Sequence, residues 1–157
     1  MTMMIRSNLI AGMLAFLALL ALPAVAQVPG KPGLVDPNRA AESELAQLPN
    51  MTPAIAQNMV ARRPFKTPVE LNRFLLDQKL TPDQAKAFYG KAFVPINLNT
   101  GTREEFMLIP GVGTRMSAEF AEYRPWKTWT QFDREIGKYV GQQETDRFKQ
   151  YVFIPAN

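Results

Sequence analysis

Two glycines lie close together in the segment Ile109-Pro110-Gly111-Val112-Gly113, which could form a tight turn able to hold an anion. Glycine adopts positive φ without steric cost, so a turn with two glycines can be sharp and still close the helix before it. The missing side chains also give access to the backbone amides that open the next helix, where unpaired N–H groups and the helix dipole favour an anion. The segment predicts a small anion site, although a glycine at such a corner can also serve packing alone.

The chain contains no cysteine and no histidine. A thiolate nucleophile, a Ser–His pair and a metal site ligated by Cys or His are therefore excluded. The acidic residues do not form a spaced metal cluster, and adjacent carboxylates such as Glu104 and Glu105 point apart on a helix. We expect no catalytic residues, no cofactor and no bound metal ion.

The first 26 residues have the form of a signal peptide. Arg6 supplies a positive charge, Leu9 to Leu22 is an apolar run, and Ala24-Val25-Ala26 is a small-residue cleavage signal. The run has about 14 residues, which is short against the roughly 20 of a membrane span. We therefore expect a periplasmic or secreted mature protein, with an uncleaved N-terminal membrane anchor as the alternative.

The mature chain is mildly basic. The full sequence has 18 basic and 14 acidic residues, and removal of the signal peptide takes away one arginine. This balance is compatible with nucleic acid as a partner without requiring it. Residues 27–36 are rich in Pro and Gly and predict a flexible linker.

From there the sequence repeats itself at an offset of 61. The segment Arg63-Pro64-Phe65-Lys66-Thr67 matches Arg124-Pro125-Trp126-Lys127-Thr128, and Pro49 matches Pro110. After a one-residue slip, Phe93 to Asn97 matches Phe153 to Asn157. The pattern predicts two tandem units of about 60 residues, at 37–97 and 98–157.

Helix starts recur within both units as capping boxes, in which a threonine is followed three residues later by Glu or Gln. The pairs are Thr67 with Glu70, Thr81 with Gln84, Thr102 with Glu105, and Thr128 with Gln131. Apolar residues follow at helical spacing, and no stretch alternates as a strand does. We expect an all-α fold with four short helices in each unit.

Most apolar residues are expected to form the core. Phe65 and Trp126 lie at matching corners and are expected to fill the space between helices. Trp129 faces Pro68 in the comparison of the two units, so it does not meet a shared structural need. Trp129, together with Trp126 in a second interpretation, is a candidate for contact with a partner protein.

The stretch Leu98 to Gly113, followed by the Arg-Pro-Trp-Lys-Thr corner, resembles the helix-hairpin-helix domain of ComEA-like competence proteins. The resemblance covers roughly residues 34–140. It implies a module that binds double-stranded DNA without sequence preference during DNA uptake. Extrinsic photosystem subunits of the PsbU type have a similar tandem architecture and serve as protein–protein elements, so the fold is implied more firmly than the function.

The resemblance implies contact with DNA phosphates by residues at and after the hairpin: Gly111, Val112, Gly113, Thr114, Arg115, Arg124 and Lys127. The amides of Gly113, Thr114 and Arg115 would face a phosphate, and the basic side chains would extend a positive track. Such contacts read the backbone rather than the bases, so binding would be salt-sensitive and independent of sequence.

The first unit departs from this pattern. Asn50 and Thr52 replace the two glycines, and the branched side chain of Thr52 is expected to block phosphate access. Asn tolerates the left-handed region, so the turn itself is expected to persist. The near-neutral charge and the lost glycines leave a second hypothesis open, a non-catalytic periplasmic scaffold or an assembly subunit of a membrane complex.

Overall fold

The computed structural model describes residues 33–156, and these residues are mostly helical, as expected. They form seven helices: α1 (Glu42–Leu45), α2 (Pro53–Arg62), α3 (Pro68–Asp77), α4 (Pro82–Tyr89), α5 (Arg103–Met107), α6 (Thr114–Glu122) and α7 (Trp129–Phe148). The predicted signal peptide and residues 27–32 of the linker lie outside the described part. Leu34 is buried and the Val35 amide donates to the Lys91 carbonyl, so the packed chain begins before the expected boundary at residue 37.

Two short strands, β1 (Ile96–Asn97) and β2 (Val152–Phe153), form a parallel ladder in which Ile96 faces Val152. The expectation of no strand is wrong for these residues. A strand of two residues is too short to show an alternating pattern, so the sequence carries no signal for it. An isolated parallel bridge between Val35 and Ala92 lies at the equivalent place in the first half of the chain. Here the first half means the described residues up to 97, and the second half means residues 98 onward.

The four predicted threonine caps are present, since each hydroxyl accepts a hydrogen bond from the amide three residues later. The reciprocal bond of a full capping box is made by Gln84 and Glu105. Glu70 and Gln131 instead accept from the amides of Lys66 and Lys127, one residue before the cap. In each half this bond ties the corner to the helix that follows it.

The second half has the four helical segments that were expected, because a sharp bend divides α7 into two. Gly141, with φ 78° and ψ 169°, is the non-helical residue at this bend. The first half separates the equivalent helices α3 and α4 by a turn in which Lys79 has φ 70°. A glycine at the bend lets two helices meet without an intervening loop.

Equivalent side chains make equivalent contacts in the two halves. Asn38 donates from Nδ2 to the Phe65 carbonyl and accepts from the Phe65 amide at 2.9 and 2.7 Å. Asn99 makes the same pair of bonds with Trp126 at 3.0 and 2.6 Å. Each asparagine therefore fixes the corner of its own half.

The core is a continuous cluster that extends through both halves. Phe65 and Trp126 are 2% and 1% exposed, which confirms them as packing residues and removes Trp126 from the surface candidates. The Trp126 indole N–H donates to the Phe120 carbonyl at 2.7 Å, so its polar atom is satisfied inside the core. Phe93 and Tyr151 stack edge to face across the junction of the halves, with ring centroids 5.0 Å apart.

Candidate nucleic-acid interface

The turn between α5 and α6, residues 108–113, is sharp because Gly111 has φ 85°. Val112 donates to the Ile109 carbonyl at 3.0 Å and is itself buried, so its amide is already bonded and its side chain does not reach a ligand. Asn50 holds the equivalent place in the first half with φ 61°, which confirms that the turn persists there.

Gly113 is the N-cap of α6, with an extended backbone at φ −102° and ψ −174° and no capping side chain. Within residues 33–156, no heavy atom outside its immediate chain neighbours lies within 4 Å of the position that a Cβ would take. The first amides of α6, at Thr114, Arg115 and Met116, have no partner inside the helix. The opening is thus an accessible cluster of N–H donors at the positive end of a helix.

Arg115 and Thr114 follow directly on this opening. The Arg115 side chain is 79% exposed, with its Nε 3.9 Å from Glu119 Oε1 and its guanidinium carbon 5.2 Å from the Tyr139 ring centroid. The Thr114 carbonyl accepts from Arg103 at 3.3 Å and from the Ser117 hydroxyl at 2.8 Å. Arg115 is therefore available to a ligand, whereas Thr114 contributes its amide.

Arg124 has a structural task rather than the exposed position expected of it. Its Nε donates to the Leu98 carbonyl at 2.7 Å, and its Nη2 donates to the Gly101 carbonyl. Burial lowers the pKa of its guanidinium, against the opposing effect of the Glu105 charge. This bonding holds the corner against the start of the second half and leaves Arg124 outside the clefts beside the turn.

Arg63, the equivalent residue of the first half, makes bonds of the same kind, so the structural role of Arg124 could have been anticipated. It lies 61 residues earlier and donates in the same way to the carbonyls of Pro37 and Ala40, at 2.7 and 2.6 Å. An arginine kept in both halves, although only one half keeps the glycines, indicates a need of the fold. Lys127 is exposed beside this corner and also lines neither cleft.

Two clefts flank the turn and share Gly111 and Gly113. One, of about 500 Å³, lies against α7 and is lined by Arg115, Lys138 and Glu144 among others. The other, of about 540 Å³, lies against α3 and α4 of the first half.

Lys86 lines the cleft of the first half. Its side chain is exposed and makes no ion pair within the part of the chain that the structure describes. No sequence pattern indicated this lysine, because its proximity to the turn depends on how the two halves pack.

Lys138 lies on the opposite side, in a small polar cluster. Its ammonium donates to the Tyr123 hydroxyl at 2.8 Å and to Glu135 at 3.0 Å, and these bonds raise the pKa of Lys138. The Tyr123 hydroxyl lies 3.0 Å from that of Tyr139 and, with partial burial, raises the pKa of Tyr139 to about 12. Lys138 is therefore positively charged at any physiological pH, and the Glu135 carboxylate partly neutralises this charge.

Arg147 contacts the turn itself. Its Nη2 donates to the Pro110 carbonyl and lies 2.8 Å from the position of a Cβ at Gly111. Glu144 binds the same guanidinium through both carboxylate oxygens, and this bonding holds the pKa of Glu144 below its ordinary value.

The charge of the second half is balanced, with eight basic and eight acidic residues from Leu98 to Asn157. The second half thus adds no net positive field of its own, and the attraction of its turn for a polyanion depends on which cations lie close to it.

Residues 33–156 hold no group of three or more acidic side chains placed to bind a metal ion. None of their helices combines the length and the apolar character needed to cross a membrane. Comparison of the chain with protein-family models, with curated proteins and with solved structures gave no match.

Proposed function

We propose that this chain is an exported, non-catalytic protein that binds the backbone of double-stranded DNA without sequence preference. The α5–α6 turn acts as the hairpin of a helix-hairpin-helix unit, and the first half is a divergent unit of the same kind. The observation that carries the proposal is the open start of α6 at Gly113, where three amides lie beside an exposed arginine.

A phosphate at this opening would accept hydrogen bonds from the first amides of α6 and gain from the helix dipole. Arg115 stands on one side of the opening and Lys86 on the other, so neighbouring phosphates along a strand have a cation on either side. None of these groups reads a base edge, which is why binding should not depend on sequence.

The two halves play different parts in this proposal. Thr52 closes α2, since its hydroxyl accepts from the Ile55 amide at 3.2 Å and satisfies a donor that a phosphate would need. The first half therefore contributes support and the Lys86 side chain, and the second half contributes the hairpin.

The test is fluorescence anisotropy of the chain from Gln27 onward with a labelled random duplex, over a series of salt concentrations. With two or three neutralised phosphates, the log–log slope should be roughly −2 to −3, and the Kd should lie in the range of about 1–100 μM that non-specific binding shows. Gly113→Val is the matched variant, because the backbone there is extended and the space is open, so the fold accepts a side chain that a phosphate does not. Equal binding by this variant and the parent would remove the hairpin as the site.

A protein-binding scaffold is the second candidate function. The cleft between the halves has an apolar rim in which Leu76 is 38% and Met107 50% exposed. If no DNA binds at low salt, cross-linking in the native host should yield a stoichiometric partner, and Met107→Glu should prevent its capture.

A further inference from the structure

Arg147 and Glu144 form a bidentate pair directly against the hairpin glycine. Arg147 Nε lies 2.8 Å from Glu144 Oε2, and Nη2 lies 2.5 Å from Oε1. A Cβ built on Gly111 would lie 2.8 Å from Arg147 Nη2 and 3.2 Å from Glu144 Oε1. The pair therefore covers one face of the glycine whose other face is open to solvent.

The arginine is the fixed member of this pair. Its guanidinium is held by the Pro110 carbonyl and by two aromatic rings, with its central carbon 4.8 Å from the Phe148 centroid and 5.7 Å from that of Tyr151. The two side chains are similarly exposed, 36% for Glu144 and 32% for Arg147, but the Glu144 carboxylate is held by Arg147, whereas the guanidinium has these further contacts. If the pair opens, the carboxylate moves into water and the guanidinium stays at the turn.

The geometry points to an exchange. An arginine binds a carboxylate and a phosphate with the same two parallel N–H donors, so Glu144 occupies the position that a phosphate oxygen pair would take. Glu144 also lines the same cleft as Gly113 and Arg115, which places it between that cleft and Arg147. The first half, whose turn is closed by Thr52, has Gln84 and Ala87 at the equivalent places and no such pair.

We propose that Arg147 is a phosphate-binding residue of the hairpin and that Glu144 is its resident competitor, displaced when a DNA phosphate enters the cleft. This inference rests on the proposed function, since it concerns the same ligand. It assigns a DNA contact to α7, which the sequence did not indicate. It also means that competition from Glu144 makes the affinity for DNA lower than the cations alone would give.

A double-mutant cycle tests the exchange, with anisotropy on the labelled random duplex as readout and the chain from Gln27 onward as the protein. Glu144→Gln should bind about five- to tenfold more tightly, because the guanidinium no longer has a charged competitor. Arg147→Lys keeps the charge but loses the fork, so it should bind about fivefold more weakly. In the Arg147→Lys background the gain from Glu144→Gln should shrink below about twofold.

Glu122→Gln is the matched control for simple charge removal, since Glu122 is exposed on α6 and makes no ion pair among the described residues. Its gain should stay below about twofold and should not depend on residue 147. An equal gain from Glu144→Gln in both backgrounds, or a gain no larger than that of Glu122→Gln, would overturn the exchange while DNA binding by the parent still stands. Absence of binding by the parent and by every variant would overturn the proposed function and this inference together.

Discussion

Thr52 and Gly113 occupy equivalent positions at the starts of α2 and α6, and only the threonine closes its helix with a side chain. The Thr52 hydroxyl lies 3.2 Å from the Ile55 amide nitrogen. At Gly113 no side chain caps the helix, and the space that a Cβ would take is open. The two halves thus share the same turn, but a side chain caps the helix that follows it only in the first half. Each half therefore serves as a control for the other.

Gly113→Thr should give α6 the side-chain cap that Thr52 provides for α2 in the first half. Threonine and glycine are about equally good N-caps, so the free energy of unfolding should change by less than about 0.5 kcal/mol. DNA affinity should fall at least about tenfold, since the hydroxyl takes an amide and the methyl group obstructs the phosphate. Urea unfolding and anisotropy on the same samples measure both effects. A variant that is equally stable and binds as well as the parent would contradict the proposed site.

Gly111→Ala should destabilise the fold, in contrast to any change at Gly113. The residue has φ 85°, which costs an L-amino acid roughly 1–2 kcal/mol, and its new Cβ would contact Arg147 Nη2. We expect a loss of about 2–3 kcal/mol in the free energy of unfolding by urea, with Gly113→Thr as the neutral reference. A loss of less than about 0.5 kcal/mol in the free energy of unfolding would mean that the turn relaxes into another conformation.

The local features of this fold were predictable because the repeat shows them twice. The threonine caps, the turn at Asn50 and Gly111, and the buried corner residue Trp126 each follow from residue types at matching positions. The ladder between β1 and β2 was not predictable, because two residues carry no period. The break in α7 at Gly141 fits the expected division into two helices, although the sequence alone did not show that a single glycine takes the place of the inter-helix turn.

The site was only partly predictable for a different physical reason. The backbone donors of the turn belong to one short segment, so the sequence alone could propose them. Lys86, Glu144 and Arg147 reach the turn from other helices, and their approach is decided by tertiary packing that no local pattern encodes. For Arg124 the phosphate contact implied by the resemblance stays a prediction, and its side chain also bonds to carbonyls more than twenty residues away in the chain.

Arg124→Lys should weaken the fold and leave DNA binding by the folded protein unchanged. A lysine has one nitrogen in place of the two that donate to the Leu98 and Gly101 carbonyls, so it does not reproduce the fork, and bonds from a charged donor are worth about 1.5–3 kcal/mol each. We expect a loss of about 2–4 kcal/mol by urea unfolding, with a similar loss for Arg63→Lys in the first half. Weaker DNA binding at undiminished stability would instead make Arg124 a phosphate ligand.

Lys86→Gln should weaken DNA binding although the residue belongs to the half without an open turn. Loss of one phosphate contact should reduce the magnitude of the log–log salt slope by about 0.9. Lys91→Gln is the matched control, since Lys91 is exposed just beyond the same helix and lines neither cleft. Equal slopes for the two variants would show that Lys86 acts only through net charge.

The Glu144–Arg147 pair should make stability depend on pH in acid. Hydrogen bonding from Arg147 lowers the pKa of Glu144 from its ordinary 4.5, so the folded state favours the ionised carboxyl. The stabilisation is therefore complete above about pH 4.5 and is lost as the pH falls through the lowered pKa. Because Glu144 is 36% exposed, solvent screening keeps the contribution below about 1 kcal/mol.

Melting temperatures of the parent and of Glu144→Gln between pH 7 and pH 3 would show this dependence. The parent should be slightly more stable at pH 7, and the two curves should converge as the pH falls through the lowered pKa of Glu144, below which the parent carboxyl is also neutral. A difference that persists unchanged at pH 3 would assign the effect of Glu144 to packing rather than to its charge. The same result would weaken the case for a carboxylate that a phosphate displaces, since that exchange requires Glu144 to bind Arg147 as an anion.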